Sequence, residues 1–295
     1  MPHMNRRKVS CALCAFVYGV VMPVCSGAQD VPASGVRPSP ITVYITVTGN
    51  SVALPLDKSL LRAEIDKKPA KIESVRPVNS DPLLFVVLMD ESASVRPNFD
   101  TVKDASLTIF KGLSAGAGNL GSLDFFNDVL SFTSRPVTTQ EAQRLLARES
   151  PRGGTALYDS LGQLSLGVLS RSKNPESPRR AIIVITDGDD NASKLKFDEG
   201  LPRAQEEGIA IFVLCTDPHG RGEHVLSELS AKTGGQEVRP RSIAEGAAPL
   251  LNAIAAQWAV TILPQQIPDE KLHTLSIHSE QTHLLLSAPA KIPLQ

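Results

Sequence analysis

Disulfide chemistry is nearly absent from this 295-residue chain. It has four cysteines, and three of them (Cys11, Cys14 and Cys25) fall near the start. Without that stretch only Cys215 is left, so no intramolecular disulfide can form. Cys215 closes the apolar run Ile209-Ala-Ile-Phe-Val-Leu-Cys215, where a buried inert thiol is expected rather than a nucleophile. Neither sign of charge is in excess, with 30 Lys+Arg against 31 Asp+Glu and a formal net charge of −1. A chain without a basic surplus lacks the electrostatic footprint of a nucleic-acid binder, and there is no acidic tail. No internal repeat is visible, and the only biased tract is one Pro-rich segment. The apolar run Val9 to Val24 falls short of the roughly 20 residues that a membrane span needs.

What is present begins with a leader. Arg6, Arg7 and Lys8 precede that apolar run, and Ser26-Gly27-Ala28 offers small side chains before Gln29. This is the layout of a secretory signal peptide over residues 1–28, with cleavage expected after Ala28. A lipoprotein reading through Cys25 is disfavoured by the bulky Val24. The expected product is exported, to the periplasm or beyond, without a membrane span. It carries 27 Lys+Arg against 31 Asp+Glu, a net charge of −4.

Residues 29–40, with Pro32, Pro38 and Pro40, read as a linker. Ile41 to Thr48 is strand-like, Lys67-Lys-Pro69 suggests a turn, and Lys71 to Val75 suggests another short strand, so 41–81 forms a β-rich flank. After Pro82 the texture changes. Leu83–Leu88, Ala181–Thr186 and Ile209–Leu214 are continuous apolar runs, and Leu123–Phe126 is a weaker one. Between them lie helical spacings at Pro97–Leu113, with Pro97 in the first turn, at Thr139–Ala147, capped by Thr139, and at Thr155–Leu169. Further helical stretches fall at Leu201–Glu207, His224–Lys232 and Ile243–Ala256. Strands without polar alternation, separated by amphipathic helices, require a mostly parallel sheet covered on both faces. Residues 82–257 therefore read as a doubly wound, Rossmann-like α/β domain. Past Trp258 short strands return at Ala259–Leu263, Leu272–His278 and Thr282–Ala288, making 258–295 a second β-rich flank. Small sheets seldom stand alone in water, so the two flanks are expected to pair into one small β-domain with the α/β domain inserted between them.

In a doubly wound sheet, ligands sit beyond the carboxyl ends of the strands. Three stretches of small oxygen-bearing residues fall there: Asp90-Glu-Ser-Ala-Ser94, Gly153-Gly-Thr-Ala-Leu-Tyr-Asp159 and Thr186-Asp-Gly-Asp-Asp190. A hard divalent cation wants oxygen ligands, and Mg²⁺ wants six, some of them water. Ser92, Ser94 and Thr155 can supply neutral oxygens, and Asp90 and Asp187 can supply charge, directly or through water. Two carboxylates around a dication leave the site near neutrality, and a vacant position then attracts an acidic residue from a protein partner. Plainer readings stand beside this one. Ser92 and Ser94 could cap the following helix. Asp189 and Asp190 read as solvated loop acids or a cap, and Asp159 reads as a helix-dipole partner. His273, His278 and His283 are five residues apart, a step that changes faces on a strand and argues against zinc. An enzyme is the functional alternative: a haloacid-dehalogenase-type phosphohydrolase with Asp90 as nucleophile and Asp187/Asp190 on Mg²⁺. That chemistry looks for an Asp two residues after the first, where this chain has Ser92.

The pattern D-x-S-x-S, then Thr in Gly-Gly-Thr, then Asp in T-D-G resembles the metal-ion-dependent adhesion site (MIDAS) of von Willebrand factor type A (VWA) domains. The five matching positions are Asp90, Ser92, Ser94, Thr155 and Asp187. The wording Gly-Gly-Thr-Ala-Leu-Tyr-Asp and Phe126-Asn-Asp-Val129 is similar to bacterial VWA domains. Lys71-Ile-Glu-Ser-Val75 and the stretch from Trp258 onward resemble the exported VWFA-related family of acidobacterial type. The resemblance implies a non-enzymatic adhesion or scaffold module. It also implies that the hydroxyls contact Mg²⁺ directly, with Mn²⁺ or Ca²⁺ as alternatives, while one or both aspartates act directly or through water. Val95-Arg-Pro-Asn lacks the acids of a neighbouring second cation site, so one metal is expected. Asp124, inside a strand that is usually more apolar, is expected at a sheet edge or paired.

Overall fold

The computed structural model describes residues 38–48, 56–79, 81–170, 179–217, 223–265, 269, 271–281 and 284–294. The expected leader with Cys11, Cys14 and Cys25, residues 29–37 of the linker, and His283 lie outside them. Residues 37–295 form one compact unit.

The chain begins with strands β1 (Ile41–Thr48), β2 (Leu61–Ile65) and β3 (Lys68–Pro77). The turn between β2 and β3 is Asp66–Lys67, both at positive φ (49° and 63°), so Lys68 and Pro69 belong to a strand rather than to the expected turn. There follow β4 (Leu83–Asp90), helix α1 (Phe99–Ser114), β5 (Leu120–Phe126), the two-residue β6 (Leu130–Ser131), α2 (Thr139–Leu146) and α3 (Leu157–Leu166). Next come β7 (Arg179–Thr186), α4 (Phe197–Glu206), β8 (Ile209–Cys215), α5 (Glu223–Ala231), β9 (Glu237–Val238) and α6 (Ile243–Ala255). The chain closes with β10 (Gln257–Leu263), β11 (Leu272–Ser279), β12 (Leu285–Ser287) and β13 (Lys291–Pro293).

Several helix starts differ from the sequence expectation, and α4 begins at Phe197 rather than Leu201. Pro97 sits in a 3-10 turn, Ala93–Asn98, ahead of α1 rather than in its first turn. The cap of α2 is Thr138, in a reciprocal capping box with Glu141, not Thr139. Thr155 lies before α3 rather than inside a helix, because Ala156 has φ −104° and ψ 63°. That release leaves the Thr155 side chain in a loop at the end of the sheet.

The central sheet has the order β6-β5-β4-β7-β8-β9, parallel except at β6. Every residue of β4, β7 and β8 is buried. Side chains alternate across a strand, so Phe85, Val87 and Met89 join the core under α1, α2 and α6. Leu84, Val86 and Leu88 join the core under α3, α4 and α5. Both faces are covered, so the strands need no polar side, and each large aliphatic side chain removed from water contributes about 1.5–3 kcal/mol.

The flanks build a second sheet, all antiparallel, in the order β12-β1-β10-β3-β2-β11-β13. β1 lies between two strands from the far end of the chain, with Val43 opposite Val260. The two flanks therefore make one β-rich layer with its own core, including Ile45, Ile65, Val260 and Ile277. Strand β2 shows why its apolar residues alternate: Leu61, Ala63 and Ile65 are buried while Arg62 and Glu64 are exposed. β9 and β13, of two and three residues, are too short to leave a periodic signal. Among the described residues, no helix is long and apolar enough to cross a membrane.

Candidate metal centre

β4 and β7 are neighbours at the middle of the parallel sheet, and their last residues, Asp90 and Thr186, emerge at the same end. The Thr186 hydroxyl donates to Asp90 Oδ2 at 2.6 Å, and the Ser92 amide donates to Asp90 Oδ1 at 2.8 Å. Asp90 is completely buried, and burial pushes its carboxyl up to about 6 against the lowering effect of those two hydrogen bonds. Among the described residues no Lys, Arg or His forms an ion pair with it. A buried carboxylate without a cation is costly to ionise.

Ser92 is buried and Ser94 exposed, and their hydroxyl oxygens are 2.9 Å apart. The capping reading does not describe them. Ser92 stands at the cap position of the 3-10 turn but makes no side-chain cap bond, and α1 is headed by Asn98.

Backbone hydrogen bonds stitch the 153–155 loop to the Asp90 segment. The Ala93 amide donates to Gly153 O at 3.1 Å, and the Arg152 amide donates to Glu91 O at 2.7 Å. Gly153 has φ +71°, and a Cβ there would lie 2.2 Å from Asp128 Oδ2, so both the conformation and the close approach call for glycine. Asp128 Oδ1 in turn accepts the Gly154 amide at 2.7 Å.

Thr155 is held from the β7 side. Its amide donates to Asn191 Oδ1 at 3.0 Å, and its carbonyl accepts the amides of Asn191 and Ala192 at 3.0 Å each. Asp187 is half-buried, and its charge adds to the rise at Asp90. The next residue, Gly188, has φ +83° with Leu226 packed where a Cβ would go. The three stretches singled out in the sequence thus converge through direct hydrogen bonds at one end of the sheet.

The neighbouring acids have other duties. Asp190 Oδ2 accepts the Tyr158 amide at 3.0 Å and the Ser193 hydroxyl at 2.7 Å, which heads α3, whereas Asp189 is exposed. Asp159 lies in the first turn of α3, and its carboxylate also binds the amides of Lys194 and Leu195. His273 is clasped between Asp66 (2.6 Å) and Asp269 (2.8 Å), far along the chain in the β-rich layer, while His278 faces solvent beside Ser276. Among the described residues no group of three or more His, Cys, Asp or Glu gathers as a metal site. Cys215 is buried, and burial pushes its thiol up to about 11, as befits an inert core residue.

Sequence reasoning missed the residues that position this cluster. Thr186 and Asn191 orient Asp90 and Thr155, and Asp128 holds the Gly-Gly turn. Glu91, assigned to a variable position, is 1% exposed; its Oε1 accepts from Asn127 Nδ2 at 2.8 Å and contacts Arg152 Nη2 at 3.5 Å. Asn127 O in turn accepts the Ala156 amide at 2.7 Å. Glu91 therefore ties the β5 turn to the loop that carries Thr155. Burial, reinforced by a side-chain hydrogen bond with Glu149, pushes its carboxyl up to about 8. The polarity of Asn127 and Asp128 directly after an apolar strand was the one available signal.

The candidate donors are all oxygen, with three hydroxyls and two carboxylates, a chemistry that suits a hard cation. Adjacent ligands of an octahedral ion at 2.0–2.1 Å stand about 2.9 Å apart, and the Ser92–Ser94 pair shows that separation. Asp90 has both oxygens engaged and is fully buried, so it is not presented to an incoming phosphate as a dehalogenase-type nucleophile would be.

Fold and site together define a doubly wound α/β domain with a hydroxyl-rich loop cluster at the strand ends. The chain belongs to the von Willebrand factor type A domain family, whose model matches residues 85–240. Domains of this family bind protein partners and commonly hold a divalent metal. Among solved structures, a von Willebrand factor type A protein from Catenulispora acidiphila is similar at 11% identity and a TM-score of 0.50, over 89% of this chain and 74% of that one. At that identity the likeness shows the fold alone. An aerotolerance-related membrane protein from Bacteroides fragilis (17% identity, TM-score 0.49) matches over 59% of this chain and 98% of its own. BatB from Bacteroides thetaiotaomicron (23% identity, TM-score 0.46) matches over 59% and 97%. No curated protein matches at a significant level.

Proposed function

We propose that this chain is an exported, non-enzymatic protein-binding module that takes a partner carboxylate through one divalent cation, Mg²⁺ or else Mn²⁺ or Ca²⁺. Ser92, Ser94 and Thr155 would hold the ion with neutral oxygens, and Asp90 and Asp187 would balance its charge directly or through water. The observation that carries this reading is the pair of Ser92 and Ser94 hydroxyls, 2.9 Å apart and unused as caps, beside a buried Asp90 that forms no ion pair among the described residues. Once bound, the cation supplies the positive charge and the open coordination position that an outside acid needs. The protein's own part is to keep the oxygens convergent, through Thr186 on Asp90 and Asn191 on Thr155. Export rests on the leader-like residues 1–28.

Calorimetry with MgCl₂ and MnCl₂ tests the reading. The wild type should take up one ion, and Ser92→Ala/Ser94→Ala should lose at least about tenfold in affinity, with an unchanged circular dichroism spectrum. Partners captured from an envelope fraction in Mg²⁺ should be released by chelator. Equal metal uptake by the double variant, or capture indifferent to chelator, would refute the proposal.

A further inference from the structure

We infer, resting on the metal-dependent reading above, that the rim of the site selects a partner segment in which the metal-seeking acid is flanked by a second acidic residue and an apolar one. Three features of the rim carry this.

The first is basic. Arg96 and Arg152 are both exposed; Arg96, in the 3-10 turn Ala93–Asn98, donates from Nη2 to Pro151 O at 3.2 Å in the loop that delivers Thr155, and Arg152 of that loop directly precedes Gly153. Among the described residues Arg96 makes no ion pair and bonds to that neutral carbonyl, and Arg152 contacts Glu91 at 3.5 Å.

The second is apolar. Val129 is 64% exposed at the tip of the turn after β5. The tip is rigidly displayed: the Asn127 amide donates to Val129 O, the Val129 amide donates to Asn127 Oδ1, each at 3.1 Å, and the intervening Asp128 grips the Gly154 amide. An aliphatic side chain fixed beside the Gly-Gly-Thr loop offers contact area with little ordering cost.

The third is acidic. Asp189 is exposed in the loop after β7, two residues past Asp187. It disfavours a second partner acid on its own side and so directs that acid toward Arg96 and Arg152. Charges arranged this way fix register and reject wrong partners more than they add affinity.

The test uses the full chain in saturating Mg²⁺ and labelled octapeptides, otherwise Gly/Ser, with cores Glu-Asp-Leu, Leu-Asp-Glu, Gly-Asp-Gly and Lys-Asp-Lys. Metal affinity is measured separately by calorimetry. One of the acidic–apolar cores should bind at least about tenfold tighter than Gly-Asp-Gly, and Lys-Asp-Lys should bind weakest. Arg96→Ala should remove about fivefold of that advantage, and Val129→Ser about threefold, with metal affinity unchanged in both. If all four peptides bind alike while the ion is taken up, the rim selectivity is wrong and the metal-dependent reading stands. If no ion is taken up, both fall.

Discussion

The two ends of the parallel sheet each bury a charged group, and they treat it in opposite ways. At the amino end, Arg179 opens β7 and is 6% exposed. Its Nη2 donates to Ile254 O and Gln257 Oε1 at 2.9 Å each, and Nη1 donates to Asp81 O at 3.3 Å, so the guanidinium pins β7 to both crossings into the β-rich layer. At the carboxyl end, Asp90 has an amide and a hydroxyl but, among the described residues, no cationic side chain. A buried charge whose partners are built in is a structural joint; one without a counter-charge among the described residues is poised for something from outside.

Substitutions at the two ends should separate these roles. The largest stability effect is expected at the amino end. Arg179→Met strands carbonyls of both crossings and should lower unfolding free energy by about 3 kcal/mol, with Mg²⁺ affinity retained. Chemical denaturation and calorimetry on one preparation would show both. Asp90→Asn should do the reverse, costing at least about tenfold in metal affinity while apo stability stays level or rises. A large loss of apo stability in Asp90→Asn would erase the contrast between the ends.

Asp124 sharpens the comparison from inside the sheet. It is completely buried, and its carboxylate accepts from the Thr133 amide and hydroxyl and from Ser122. Burial pushes it up to about 6 despite those bonds. Its folded value lies above its unfolded one, so folding is favoured by this group at low pH and loses that help as pH rises from about 4 to about 6. The span corresponds to at most about 3 kcal/mol. Asp124→Asn should therefore be more stable at pH 7 by about 1–2 kcal/mol and should flatten that pH dependence. Denaturation curves at pH 4, 5, 6 and 7 check it.

Gly153→Ala should cost about 1–2 kcal/mol, from its positive φ, and should weaken Mg²⁺ because Asp128 must give way. His273 gives the smallest change. Burial opposes its charge, but its hydrogen bonds to the carboxylates of Asp66 and Asp269 outweigh this and raise its pKa. That contribution is complete below the ordinary histidine value and fades as pH climbs through the raised one. The melting temperature should fall between pH 6 and pH 8 in the wild type and fall less in His273→Gln.

Legibility in the sequence followed burial. The runs at Leu83–Leu88, Ala181–Thr186 and Ile209–Leu214 read as strands because both their faces are covered, and alternation marked the flanks because one face is wet. The helix starts were less legible. Thr138, Asn98 and Ala156 are decided by single backbone turns that periodicity does not see. Asp124 read as an anomaly in a strand, and its partner Thr133 lies nine residues on, past a two-residue strand with too little pattern to detect.

Composition and local order alone determined the covered parallel sheet, the inert Cys215, the β-rich flanks and the three oxygen-bearing stretches at strand ends, because side-chain hydrophobicity and its period act over a few residues. Only the tertiary structure decided that Thr186 holds Asp90, that Asn191 holds Thr155, that Glu91 is buried against Asn127, and that Arg179 joins the two sheets. Those partners are 36 to 98 residues apart. Their meeting depends on strand order and loop closure, which no local pattern encodes.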